Sequence, residues 1–149
     1  MQRLILTLAA VCLPLGIATS ADTKGIDTSS LRSSAPADAQ VYIISPQDGD
    51  TVTSPLTVQF GLRGMGVSPA GLAKANTGHH HILIDVDTLP DMTQPLPATE
   101  QVKHFGGGQT ETTLELTPGK HTLQLLLGNH LHIPHEQPVL SQKITVLVK

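Results

Sequence analysis

Period-two alternation runs through most of this chain and limits its fold more than any other feature. In residues 51–62, Val52, Leu56, Val58, Phe60 and Leu62 share one parity, and Thr53, Thr57 and Gln59 share the other. Successive strand side chains point to opposite faces, so the pattern predicts a strand with one buried face. Pro55 cannot donate to a ladder, which makes this strand an edge or bends it there. Residues 79–86 alternate in the same way, with His80 leading the apolar face of Ile82, Ile84 and Val86. Residues 110–117 and 120–128 alternate on either side of Pro118 and Gly119 and predict a hairpin. Short strands at 41–45 and 143–148 complete the set.

No long segment carries the 3.6-residue period. One short helix is expected after Ser68 as N-cap, with Pro69 in its first position and Asn76 as its stop. Six short strands punctuated by Gly and Pro predict an all-β fold, an antiparallel β-sandwich with immunoglobulin-like layering and one short helix in a long loop. Val, Ile and Leu fill more than a quarter of residues 41–149, enough for a core without disulfides.

The front of the chain reads differently. Residues 1–21 carry Arg3, then an apolar run broken by Pro14 and Gly16, then small residues ending at Ala21. This is the layout of a cleaved secretory signal peptide and predicts a periplasmic or secreted protein, with no membrane span after cleavage. Residues 22–40 have few large apolar side chains and are expected to form a flexible linker. The domain is then residues 41–149. Cys12, the one cysteine, leaves with the leader, which excludes both a disulfide framework and thiolate metal ligands.

Charge and aromatics narrow the function. A net charge of −3 without a basic block argues against nucleic acid, and 2% aromatic residues leave no stacking platform for sugars or bases. The eight histidines are the outstanding feature. His79, His80 and His81 open a strand, and His130, His132 and His135 follow the expected hairpin. His104 precedes Gly106, Gly107 and Gly108.

Neutral imidazole is the commonest protein ligand for transition metals. On a strand, residues i and i+2 face one way, so His79 and His81 converge while His80 points to the core. His130 and His132 repeat that spacing. The metal ligands expected are therefore His79, His81, His130, His132, His135 and His104. Asp85 and Asp87 share the parity of His79 and His81, and are candidates for outer hydrogen bonds or as extra ligands. Without thiolates the set suits Cu(II), Zn(II) or Ni(II).

Strict up-and-down strand order would place His130–His135 roughly 25–30 Å from His79, at ~3.3 Å per residue. One shared site therefore requires residues 89–109 to cross the sandwich or to hold an extra strand near 101–105. The alternative site is His79, His81 and His121.

Three functions compete. The first is a metal carrier, buffer or sensor. The second is a non-catalytic envelope module that binds another envelope protein, its histidines ordering loops or sensing pH. The third is a metal-dependent hydrolase, for which no general base or substrate pocket is evident. Gly106–Gly108 lacks the Lys and helix of a phosphate loop and reads as a tight bend.

Six stretches together resemble one family. They are Ser45-Pro-Gln-Asp-Gly-Asp-Thr-Val52, Phe60-Gly-Leu-Arg-Gly-Met-Gly-Val67, Asn76-Thr-Gly-His-His-His-Ile-Leu-Ile-Asp85, His104-Phe-Gly-Gly-Gly-Gln-Thr-Glu-Thr112, Pro118-Gly-Lys-His-Thr-Leu-Gln-Leu-Leu-Leu-Gly128 and His130-Leu-His-Ile-Pro-His135. Residues 41–149 are similar to the exported bacterial family known as domain of unknown function 4399. The resemblance implies a β-rich domain in the envelope of Gram-negative-type bacteria. It implies no activity and no catalytic residues.

Overall fold

The computed structural model describes residues 31–149, so the expected signal peptide and the first part of the linker lie outside the described residues. Two β-sheets face each other across an apolar core. One has three strands in the order β1 (Gln40–Ser45), β3 (Leu56–Arg63), β7 (Glu111–Leu114). The other runs β2 (Thr51–Val52), β9 (Ile144–Val148), β8 (Gly119–Gly128), β5 (Thr77–Ile84), β4 (Gly66–Val67), with β6 (Val102–His104) also paired to β5. The fold is all-β and sandwich-like. The smaller sheet is antiparallel and the larger is mixed, because β2 lies parallel to β9 and β4 parallel to β5.

Alternation explains the core. Leu56, Val58 and Phe60 of β3 meet Ile82 and Ile84 of β5, Leu123, Leu125 and Leu127 of β8, and Val146 and Val148 of β9. Burial of such side chains contributes about 1.5–3 kcal/mol each. The two central strands of the larger sheet are buried on both faces. Their outer face carries a second cluster, Leu83, Leu96, Val102 and Leu126. Leu96 belongs to the long connection after β5, which folds back as a cover.

Three expectations need correction. The strand expected over 51–62 divides at Pro55: β2 belongs to the larger sheet and β3 to the smaller, so the bend takes the chain from one sheet to the other. The expected hairpin is not one, because β7 pairs with β3 while β8 lies in the opposite sheet between β5 and β9. An apolar stripe on one parity suits either partner, since both choices bury it in the same core. The helix after Ser68 is absent; the segment is turns and irregular chain. Its backbone donors serve tertiary acceptors instead, Ala70 N–H to the Gly106 carbonyl and Gly71 N–H to that of His130, both at 2.9 Å.

The last part of the expected linker is tied down. Arg32 donates from Nε to the Pro134 carbonyl at 3.1 Å, the Glu136 N–H donates to the Ser33 carbonyl at 3.0 Å, and Ala35 and Ala39 pack on the core. A poor apolar count predicts freedom, but backbone groups of residues 134–136 supply partners, Pro134 a carbonyl and Glu136 an N–H. No helix among the described residues is long and apolar enough to cross a membrane.

Candidate metal centre

The antiparallel register of β5 and β8 decides where the histidines meet. His79 lies opposite Gly128 and Ile84 opposite Leu123. The chain leaving β8 therefore emerges beside the start of β5, and His132 arrives next to His79. The separation expected from strict up-and-down order does not arise. Strand β6 forms at 102–104 and places His104 directly across from His81. That is the extra strand a single site requires.

Four imidazoles result, two from β5, one from β6 and one from the turn after β8. Ring centroids are 4.8 Å apart for His79 and His81, 5.2 Å for His81 and His104, 4.4 Å for His104 and His132, and 4.9 Å for His79 and His132. One nitrogen from each ring lies within 4.8 Å of the other three. His79 Nε2 and His132 Nδ1 are 3.1 Å apart. An ion with metal–nitrogen bonds of about 2.0–2.1 Å holds tetrahedral nitrogens about 3.3 Å apart, so modest ring rotations bring the set to bonding distance.

The protonation states suit metal binding. Burial, then the neighbouring His132, His104, His80 and His135, lower the His79 pKa to about 4. Burial, then His79, His104 and His132, lower that of His81 to about 3. His132 is lowered by burial and then by His104. Clustered imidazoles cannot all be charged, and the neutral ring offers the lone pair an ion needs.

Hydrogen bonding supports the same conclusion. Both nitrogens of His81 and Nδ1 of His79 are buried without a partner. A buried polar atom left unmatched costs about 1–3 kcal/mol. An ion would satisfy one nitrogen of each ring. His79 and His81 are buried, whereas His104 is exposed and His132 half-buried, so the set opens to solvent on one side.

Two glycines make the room. A Cβ on Gly128 would stand 2.7 Å from His81 Cε1, and one on Gly106 would stand 2.5 Å from His104 Cε1 and Nε2. The rings lie against bare backbone at both positions. In the sequence the Gly106–Gly108 run reads as a bend, and Gly128 carries no signal of its own.

The remaining candidates fall elsewhere. His135 is fully buried nearby, with Nε2 3.4 Å from the Thr77 carbonyl, but it is outside the four-nitrogen set. His130 is also outside it and accepts the Gly71 N–H at its carbonyl. His80 points to the core, its ring 4.8 Å from that of Phe60, and burial lowers its pKa to about 4.

The alternative grouping of His79 and His81 with His121 does not form, because His121 sits at the other end of β8. There His121 Nδ1 donates to Asp85 Oδ2 at 2.7 Å, and Nε2 donates to the Thr117 carbonyl at 2.9 Å. Asp85 is thereby engaged with His121 and, through Oδ1, with the Thr122 N–H at 2.7 Å. Asp87 is exposed beyond the end of β5. Parity places both carboxylates on the right face, but Asp85 lies four residues further along the chain than His81, about 13 Å at ~3.3 Å per residue.

No curated protein and no solved structure matches the chain significantly. A family model described as Domain of unknown function (DUF4399) matches residues 58–149, a span that holds all four imidazoles and both glycines. On that match, the chain belongs to the DUF4399 family.

Proposed function

We propose that this domain is an exported, periplasmic binder of a divalent transition-metal ion, Cu(II), Zn(II) or Ni(II), acting as a carrier, buffer or sensor. His79, His81, His104 and His132 are its ligands. The observation that carries this reading is the meeting of four imidazoles from three separate chain segments, with the buried nitrogens of His81 lacking any other partner. An all-imidazole set without thiolate favours these ions over Cu(I). The periplasmic assignment follows from the leader-like character of residues 1–21.

The test is metal content of untagged protein purified from the periplasm, with Cu(II) and Zn(II) titration of the metal-free form. Near-stoichiometric binding that disappears in the His79→Ala/His81→Ala variant is expected. No binding tighter than about 10 μM would overturn the proposal.

A further inference from the structure

Three of the four imidazoles stand on strands, whose ladders fix their directions. His132 alone stands on a loop, and its backbone is left-handed at φ 65. A residue other than glycine keeps that conformation only where its surroundings over-determine it. Two side chains do so here.

Asn129 is 1% exposed and works from inside the loop. Its Oδ1 accepts the N–H groups of Leu131 at 2.9 Å and Ile133 at 3.2 Å, on either side of His132. Its Nδ2 donates to the Leu31 carbonyl at 2.9 Å. Its backbone carbonyl accepts the His132 N–H at 2.9 Å.

Arg32 works from outside. Its guanidinium donates to the carbonyls of three successive residues, Pro134 at 3.1 Å, His135, and Glu136 at 3.2 Å. A planar fork can serve several acceptors at once, which the single ammonium of lysine does less well. Residues 31–33, ahead of the first strand, thus form a clasp on the one ligand-bearing segment that lacks a ladder.

We propose that Arg32 and Asn129 are positioning residues that hold His132 in place and so set how fast the site releases its ion. This rests on the metal reading above. His132 is half-buried at the open side of the site, where an ion would leave. A loosened loop converts a four-imidazole site into a three-imidazole one and leaves the buried His79–His81 pair untouched.

The experiment uses the mature chain loaded with Cu(II). Transfer to an excess of chelator is followed by stopped flow, and the nitrogen ligands are counted by electron paramagnetic resonance. Arg32→Ala is expected to release Cu(II) at least 10-fold faster and to show a mixture of four- and three-nitrogen signals. Arg32→Lys is expected to restore only part of the slow release, and His121→Gln, at the far end of β8, to leave release unchanged. Amide exchange on the metal-free protein gives a second readout: Arg32→Ala should expose residues 129–136 while the β1–β3 ladder stays protected. Release and spectra of Arg32→Ala equal to those of the parent would overturn the clasp with the metal reading intact. Equal acceleration in His121→Gln would overturn it too, as a general stability effect. A parent chain that bound neither Cu(II) nor Zn(II) would overturn the metal reading and the role of the clasp in release with it.

Discussion

The two ends of the β5–β8 pair both carry histidine, yet they treat it in opposite ways. At one end His79 and His81 are buried among other imidazoles, without a carboxylate, and are held neutral well below the ordinary histidine pKa. At the other end His121 faces two acceptors, the Asp85 carboxylate and the Thr117 carbonyl. With both nitrogens facing acceptors, the geometry favours the doubly protonated ring, and its pKa is raised, first by the Asp85 hydrogen bond. One end is built with unused lone pairs and the other has none left. The number of histidines therefore says little by itself; what surrounds each ring decides whether it suits a metal or a carboxylate.

Substitution should separate the two ends most sharply. His81→Leu roughly keeps the side-chain volume and removes two buried, unpartnered nitrogens. It is expected to abolish tight metal binding in calorimetric titration and to leave the metal-free domain at least as stable, since replacing unsatisfied polar atoms by apolar ones is neutral or favourable. His121→Ala should do the reverse, retaining metal affinity and losing about 1 kcal/mol of thermal or urea stability. Equal loss of stability in both variants would show that the two ends are alike and that the cluster is structural.

Next in size is Gly128→Ala. The added methyl would meet the His81 ring at 2.7 Å, inside van der Waals contact. The ring must turn away, and an affinity loss of about 10- to 100-fold, roughly 1.4–2.7 kcal/mol, is expected in the same titration. Unchanged affinity would mean that His81 is not a ligand in the orientation described.

The two ends should also differ in the sign of the pH dependence of stability. His79 and His81 titrate near 4 and 3 when folded, against 6.5 in an open chain. Between those values the unfolded chain binds more protons, so acidification from about pH 6.5 towards pH 4 destabilises the metal-free domain, on the order of a few kcal/mol in all. His121 has the opposite sign. Its raised pKa gives stability that is fully present below 6.5 and is lost as pH rises through the folded value. That contribution is expected to be below about 1 kcal/mol, because the pair is partly solvated. Urea denaturation across pH 4–9 for the parent and Asp85→Asn measures both; the alkaline loss should vanish in Asp85→Asn and the acidic loss should remain.

Much of this could be seen in the residues. Alternation located the segments that form β1, β3, β5, β7, β8 and β9, because one buried face imposes a period of two on any sequence that fills it. The same rule turned His79 and His81 to one side and His80 to the other. It did not reveal partners. The stripe of β7 looks like half of a hairpin, yet β7 joins the smaller sheet, since apolar patterning reports which face is buried and not which strand lies alongside. His130 and His132 looked alike in sequence, and only His132 joins the cluster. The left-handed backbone at His132 and the bonds to Asn129 decide between them, and neither leaves a mark in the pattern.

The residues alone make this an all-β chain, with its histidines gathered at the edges of a few segments and its one cysteine, Cys12, far from them along the sequence. These properties follow from side-chain periodicity and composition, which are local. Only the folded arrangement brings His79, His81, His104 and His132 into one cluster, sets Gly128 and Gly106 against the rings, and pairs His121 with Asp85. Each depends on the antiparallel register of β5 with β6 and β8. Register is a relation between distant segments, fixed by how their apolar faces and backbone hydrogen bonds fit together, and no single segment carries it.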